Sequence, residues 1–175
     1  MNQPQYLVVH HTGGTDADPL ADTSHHTVYT VNNHHKTLWP RFISSLGWHV
    51  GYHYFIDKYG KVTQTRKDWE EGAHVRGKNS QSIGICLAGN FDRTKPTVEQ
   101  AAALTELLTK LAKQHNITSD NIVPHRKFAN KTCYGRNLSD DWARSLVDVP
   151  ENPLKKYGTM ELIQELRRRI INKEL

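Results

Sequence analysis

Residues 6–14 read Tyr-Leu-Val-Val-His-His-Thr-Gly-Gly and contain the stretch that decides the fold. Four apolar or aromatic residues in a row, two of them β-branched, predict a short buried strand, and two glycines end it. A histidine pair stands at the end of this strand, where a side chain is held rigidly, as a metal ligand must be. Because strand side chains alternate between faces, only one of His10 and His11 can join a given site directly. The spacing alone leaves the choice between them open.

A second segment, residues 125–133 with the sequence HRKFANKTC, places a histidine and a cysteine eight positions apart. It contains no glycine or proline, and the two side chains can converge on one metal ion. Lys131 would put a cation beside that metal, where negative charge develops. Three protein ligands on zinc leave a fourth position for water, as in catalytic sites. The segment therefore predicts a hydrolase, provided that a third ligand lies elsewhere in the chain.

A third segment, residues 51–57 with the sequence GYHYFID, predicts an aromatic-rich strand that a hairpin turn connects to a second strand ending near residue 65. Strand alternation would place Tyr52, Tyr54 and Ile56 on one face. A tyrosine hydroxyl beside a metal can donate a hydrogen bond to a developing oxyanion. The segment therefore adds a candidate catalytic group to the two candidate ligand segments.

Together these segments resemble the zinc-dependent N-acetylmuramoyl-L-alanine amidases of the type-2 group, which includes small phage amidases and the animal peptidoglycan recognition proteins. The matching motifs are VVHHTGG, GWHVGYHYFID, GAHVRGKNSQSIGICLAGNF and HRKFANKTC. They occur in the family's order and cover about residues 6 to 145. The resemblance implies an α/β fold like that of peptidoglycan recognition proteins, with a central mixed β-sheet flanked by helices.

The resemblance also implies roles for five residues. It assigns one zinc ion (Zn²⁺) to His10, His125 and Cys133, and so selects the first histidine of the pair. It assigns catalytic roles to Tyr52, in the GYH motif, and to Lys131, two positions before the cysteine. Relatives that only bind peptidoglycan often lack the cysteine or change the lysine, so the presence of both implies an active enzyme.

Two more residues are candidates for substrate binding. The resemblance puts His74 on the rim of the substrate cleft, where substrate contact and structural packing are the alternatives. Arg76 lies close to it in sequence and would meet peptide carboxylates. One departure is visible, because the family usually continues Cys-Pro-Gly and this chain has Tyr134 after the cysteine. Proline fixes φ, so Tyr134 is expected to leave the loop more mobile or to alter a substrate contact.

Cys86 lies in the predicted central strand, residues 83–88, and is expected to be a buried free cysteine. A disulfide with Cys133 is the competing interpretation, and it would destroy the metal site. A length of 175 residues predicts a single amidase domain, residues 1–175. One helix is predicted from Thr97, where a capping box begins, and a C-terminal helix over about residues 160–172. Another is predicted before the GYH motif.

The resemblance implies hydrolysis of the amide bond between N-acetylmuramic acid and L-alanine in peptidoglycan, by a bacteriolytic, antimicrobial phage endolysin. The chain has no apolar leader, which predicts cytoplasmic synthesis without a signal peptide and action at the cell wall after release. It has no apolar run long enough for a transmembrane segment. A net charge of +5 favours anionic partners such as cell walls.

Several alternatives accompany this prediction. The activity could belong to a cytoplasmic amidase that recycles muropeptides, or the protein could be a non-catalytic module that binds peptidoglycan. Inhibition of a phage RNA polymerase is a further role known for a small phage amidase. Peptidoglycan is the expected partner, nucleic acid is not expected, and a monomer is predicted.

Overall fold

The computed structural model describes residues 1–147 and 159–171. One mixed sheet is built from β1 (Tyr6–His11), β2 (Tyr54–Ile56), β3 (Val62–Gln64), β4 (Ser82–Leu87) and β5 (Ile122–Pro124). The strand order is β3-β2-β4-β1-β5. Strand β3 runs antiparallel to β2, and the other neighbours pair in parallel. The predicted α/β fold with a mixed sheet is confirmed.

The first strand of the chain lies inside the sheet, between β4 and β5. Leu7, Val8 and Val9 have no exposed surface, as expected for a parallel strand that is covered on both faces. Leu7 and Val9 belong to the main core cluster, whereas Val8 packs with Val75 and Val123 on the other face. This alternation continues into the histidine pair at the end of the strand.

Helices cover both faces of the sheet: α1 (Val28–Leu38), α2 (Val98–His115), the short α3 (Trp142–Ser145) and α4 (Thr159–Ile171). Helix α2 starts at the predicted capping box. The Thr97 side chain accepts a hydrogen bond from the Gln100 backbone, and the Gln100 side chain accepts one from the Thr97 backbone. The predicted apolar stripe of α2 is buried in the main core, and its members are Leu104, Leu107, Leu108 and Leu111.

Helix α1 packs on the face opposite α2, in a second cluster that contains Val31, Phe55 and Cys86. Tyr52 also packs against this cluster, whereas Tyr54 and Ile56 belong to the main core. The prediction that Tyr52 shares a face with Tyr54 and Ile56 is therefore wrong. The strand begins only at Tyr54, so the period-two rule does not extend back to Tyr52.

Helix α4 packs along α2. Leu166 is buried against Ala102, and Arg167 forms an ion pair with Glu99 at 3.3 Å. The predicted C-terminal helix is confirmed with bounds Thr159–Ile171, and residue 172 lies outside the described residues. Within the described ranges, every helix is too short or too polar to cross a membrane.

Candidate active site

Three predicted ligands meet at one edge of the sheet. His10 is near the end of β1, and His125 follows β5 directly, so the carboxyl ends of two neighbouring parallel strands supply them. Cys133 reaches the same point from the loop that follows. One ligand atom from each of the three residues lies within 4.8 Å of the other two. This cluster confirms that the predicted ligands converge.

The spacing of the donor atoms suits a tetrahedral metal ion. His10 Nδ1 and Cys133 Sγ are 3.7 Å apart. Bond lengths of about 2.0 Å to nitrogen and 2.3 Å to sulfur give an N···S edge of about 3.5 Å in a tetrahedral zinc site. Two imidazoles and one thiolate are also a donor set that zinc accepts readily. The residues therefore fit one such ion, with a fourth position left over.

The second histidine of the pair faces the other way. His11 Nδ1 accepts a hydrogen bond from the Phe91 backbone N–H at 2.9 Å, and its ring packs against the Phe91 ring. Burial lowers the pKa of His11 to about 4, so the ring is neutral at pH 7. His11 thus fixes the turn after β4, which agrees with the packed role considered for it from the sequence.

A cavity of about 570 Å³ opens above the cluster. Tyr52 and Lys131, the two predicted catalytic residues, both line it together with the three ligands. The Tyr52 ring lies 5.0 Å from the His10 ring, centroid to centroid. A second cavity of about 640 Å³ is bounded by α1, and Tyr52 belongs to both walls. The two cavities are therefore adjacent, with Tyr52 between them.

Burial controls the protonation of the ligands. It lowers the pKa of His10 well below its usual value and, helped by Lys131, lowers the pKa of His125 to about 4. Burial also raises the pKa of the Cys133 thiol to about 12. At pH 7 in the metal-free protein, the two imidazoles are therefore neutral and the thiol is protonated.

Tyr52 remains a hydrogen-bond donor at any physiological pH. Burial, followed by the nearby Cys86 and Cys133 thiols, raises its pKa well above the usual value for tyrosine. Both cysteines are free and Cys86 is fully buried. The prediction of a free Cys86 is confirmed, and the competing disulfide is not formed.

The loop that carries Lys131 and Cys133 is held by Arg126, a residue that sequence reasoning missed. Its guanidinium donates hydrogen bonds to the backbone carbonyls of Thr132 at 3.2 Å, Gly135 at 2.7 Å and Leu138 at 2.7 Å. It also donates to the carboxylate of Asp140. Backbone carbonyls leave no trace in a sequence pattern, so only the fold reveals this role.

Asp92 fixes the same loop from the opposite side. Its carboxylate accepts hydrogen bonds from the Thr132 hydroxyl at 2.6 Å and from the Arg136 backbone N–H at 2.8 Å. These hydrogen bonds hold the pKa of Asp92 below its usual value against the opposing effect of burial. Asp92 also lines the cavity. The sequence did not indicate this role of Asp92, because an acidic residue after a central strand is a common pattern.

Tyr134, the departure from the family pattern, is a buried anchor. The side chain has no exposed surface, and its hydroxyl lies 2.9 Å from the carbonyl oxygens of Ser139 and Asp140. Its ring packs edge-on against Trp142 at 5.5 Å. The expectation of an altered substrate contact is therefore wrong, because the side chain points into the core and contacts the segment before α3. The expected change in loop mobility stays a prediction.

The two candidate substrate-binding residues lie apart from the cavity walls. His74 is buried behind His10, with His10 Nε2 and His74 Nδ1 separated by 3.1 Å. Arg76 is exposed in the loop before β4. Neither borders the two cavities, so the position of His74 favours packing over substrate contact. A role of Arg76 toward a peptide stays a prediction.

The chain belongs to the N-acetylmuramoyl-L-alanine amidase family, whose sequence profile matches residues 1–136. It is 36% identical over 105 residues to an endolysin of Klebsiella phage KP32, covering 57% of this chain and 68% of that protein. It is 31% identical over 139 residues to peptidoglycan-recognition protein SC2 of Drosophila melanogaster, covering 78% of this chain and 71% of that one.

A solved structure supports the same relationship. The endolysin N-acetylmuramoyl-L-alanine amidase LysCS from Clostridium intestinale URNW superposes with a TM-score of 0.67 at 26% sequence identity. The alignment covers 82% of this chain and 83% of that one. The family and fold inferred from the four sequence motifs are thereby confirmed.

Proposed function

We propose that this protein hydrolyses the amide bond between N-acetylmuramic acid and L-alanine in bacterial peptidoglycan, using one Zn²⁺, and that it acts as a phage endolysin. The observation that carries the proposal is the cluster of His10, His125 and Cys133 in the floor of a cavity that Tyr52 and Lys131 border. Similarity to a phage endolysin supports the biological setting. In that setting the protein is made in the cytoplasm and acts on the cell wall.

The chemistry divides between the ion and the side chains around it. A Zn²⁺ held by the three ligands supplies Lewis-acid chemistry, which acidifies water and polarises a carbonyl oxygen. Lys131 brings a positive charge to the oxygen that becomes negative as the amide carbon turns tetrahedral. The Tyr52 hydroxyl, which stays protonated, donates a hydrogen bond to the same oxygen. The cavity of about 640 Å³ along α1 is the space available for the rest of the glycopeptide.

The test is the release of new L-alanine amino ends from purified peptidoglycan. Protein loaded with one equivalent of Zn²⁺ should generate these ends while the reducing sugar ends stay constant. A chelator should abolish the release, and added Zn²⁺ should restore it. New reducing ends without new amino ends would contradict the proposal, because they indicate cleavage of the glycan instead of the amide.

A matched pair of variants ties the activity to the cluster. Cys133→Ala should lose both stoichiometric Zn²⁺ binding and amino-end release, since it removes one of three ligands. Cys86→Ala should keep stoichiometric Zn²⁺ binding, because that thiol is buried and is not one of the three clustered ligands. Unchanged amino-end release by Cys133→Ala would count against a metal-dependent mechanism.

Binding of peptidoglycan without cleavage is the second candidate, and the similarity to a peptidoglycan-recognition protein favours it. The two candidates differ in one experiment. A binding module would sediment with insoluble peptidoglycan whether or not Zn²⁺ is present, and would release no amino ends. Soluble muropeptides as substrate, in place of the polymer, would indicate a recycling enzyme.

A further inference from the structure

A line of buried polar groups runs from the metal-facing cluster into the core behind it. His10 Nε2 lies 3.1 Å from His74 Nδ1, and His74 Nε2 lies 3.4 Å from the Ser82 hydroxyl. The Ser82 hydroxyl in turn lies 2.7 Å from the carbonyl oxygen of Lys78. The side chains of His10, His74 and Ser82 are all buried. Each group in the line is therefore within hydrogen-bond distance of the next group.

The carbonyl at the end of the line fixes the direction of every hydrogen bond in it. A carbonyl oxygen only accepts, so the single hydroxyl hydrogen of Ser82 is donated to Lys78. The hydroxyl can then only accept from His74, which requires the hydrogen of His74 on Nε2. A neutral imidazole has one N–H, so His74 Nδ1 is an acceptor and His10 must donate from Nε2. This leaves the lone pair of His10 on Nδ1, the atom that faces Cys133.

The His74 ring has little freedom to leave this arrangement. A Cβ atom at Gly84 would lie 2.6 Å from its Cγ, and a Cβ at Gly72 would lie 2.6 Å from its Cδ2. Both glycines are thus needed for the ring to fit. The backbone N–H of His74 is also fixed, because it donates to Asn79 Oδ1 at 2.9 Å. The ring that carries the acceptor atom for His10 is therefore confined by the two glycines and by the backbone hydrogen bond to Asn79.

We propose that His74, with Ser82 behind it, is a positioning residue that fixes the tautomer and ring orientation of His10 so that Nδ1 binds the metal. This inference rests on the proposed metal site, and it gives His74 a role other than the substrate contact predicted from the sequence. Partners of this kind orient metal ligands, and their loss typically lowers metal affinity by about 10–100-fold. Ser82 acts only through His74.

The tautomer is measured directly in the metal-free protein. The ¹⁵N chemical shifts of histidine-labelled protein at neutral pH should show His10 and His74 each with the hydrogen on Nε2. This measurement needs neither metal nor activity, so it tests the relay even if the proposed function fails. A His10 ring with its hydrogen on Nδ1 would overturn the proposal.

Variants test the consequence for Zn²⁺ affinity, measured in competition with a chromophoric chelator. His74→Leu removes the acceptor and should weaken Zn²⁺ binding by about 10–100-fold. His74→Asn puts its side-chain oxygen near the position of Nδ1 and should restore affinity to within about threefold of the parent. A folded His74→Leu variant with parental affinity would overturn the proposal.

A double variant separates the relay from simple packing. Ser82→Ala should weaken Zn²⁺ binding in the parent, because the hydroxyl that accepts from His74 Nε2 is lost. In the His74→Asn background the same change should have no further effect on affinity, since asparagine has no tautomers. Equal losses in both backgrounds would show that Ser82 acts by packing and would overturn its part in the relay. If His74→Leu does not fold, this pair and the tautomer measurement decide the question.

Discussion

At the scale of single residues, the proposed metal site needs to lose only one proton before it can bind an ion. Burial keeps His10 and His125 neutral at pH 7 and keeps Cys133 protonated. A metal ion binds a thiolate and two neutral imidazoles. Of the three ligands, only the cysteine must therefore change its protonation state when the ion arrives.

Binding of Zn²⁺ should release about one proton at a pH of about 7.5, because the pKa of the free thiol is about 12. For the same reason the affinity should rise about tenfold for each pH unit in this range. Calorimetric titrations in two buffers of different ionisation enthalpy measure the proton count. Release close to zero would mean that the thiol is already ionised before the metal binds.

Lys131→Ala should lower the rate of amino-end release by about 10²–10³-fold, as expected for the loss of one oxyanion-stabilising group. Its Zn²⁺ affinity should stay close to that of the parent, since Lys131 is not a ligand. Initial rates on purified peptidoglycan, with bound Zn²⁺ quantified, check both statements.

Lys127→Ala is the matched control for this variant, because Lys127 is exposed in the same segment and does not border the cavity. It should keep the parental rate. An equal fall in both variants would assign the effect to overall charge and not to the position of Lys131.

The convergence of the three proposed ligands could be predicted because motif order identified them, whereas the residues that support them could not be predicted. His10, His125 and Cys133 are reactive types at recognisable spacings. Arg126 and Ser82 donate hydrogen bonds to backbone carbonyls of residues that lie between four and 12 positions away along the chain. Such a contact depends on the path of the backbone, and any hydrogen-bonding side chain in the sequence could have made it.

At the scale of elements, a strand or helix was predictable where a long pattern or a turn signal marked it. Strand β1 and helix α2 were predictable because six and 18 residues, respectively, carry a complete pattern. Strands β2 and β3 have three residues each, but the hairpin turn between them was recognisable. Strand β5 has three residues and no such turn signal, and it was not predicted. Its place is set by the register with β1, where Val9 pairs with Pro124.

The loop after β5 depends on the hydrogen bonds that one side chain, Arg126, donates to it. Arg126→Lys should destabilise the metal-free protein by about 2–3 kcal/mol, because an ammonium cannot replace a guanidinium fork that reaches three carbonyls and a carboxylate. It should also weaken Zn²⁺ binding. Urea unfolding and chelator competition measure the two effects.

Arg136→Lys is the control, since Arg136 is largely exposed and its guanidinium is 3.9 Å from Asp92. It should change the free energy of unfolding by no more than about 0.5 kcal/mol. Similar losses for Arg126→Lys and Arg136→Lys would refute a specific role of Arg126 in the loop.

At the scale of the whole molecule, buried neutral histidines make stability depend on pH. Burial lowers the pKa of His11, His35 and His53 to about 4 each. In the unfolded chain a histidine protonates near pH 6.5. Between these values the unfolded state binds more protons than the folded state, so stability falls as the pH is lowered.

The metal-free protein should therefore have nearly constant stability above a pH of about 7 and lose it steadily from about 6.5 toward 4. Each fully buried histidine contributes up to about 1.4 kcal/mol per pH unit. Urea unfolding with a chelator present, repeated across this range, gives the slope. Constant stability down to a pH of about 5 would show that these rings are protonated without cost in the folded protein.

The prediction of a single domain over residues 1–175 stays a prediction, as does the monomeric state. The family match ends at residue 136, and α4 lies beyond it. That helix nevertheless packs on α2 through Leu166 and Ala102. The apolar stripe and the C-terminal arginines of α4 could be recognised in the sequence. Its packing partner α2 could not be, because an apolar stripe does not specify which helix will cover it.

The position of β1 inside the sheet has a consequence for the order in which the protein can be built on the ribosome. Tyr6 pairs with Ser82, which is synthesised 76 residues later, and the third ligand follows at Cys133. The first strand must therefore wait, unpaired, until about half of the chain has been translated, and such long-range pairing folds slowly. A ribosome-bound chain has no complete ligand set before Cys133 has emerged. If the three residues bind Zn²⁺ as proposed, capture of the ion can be completed only late in synthesis and not at its beginning.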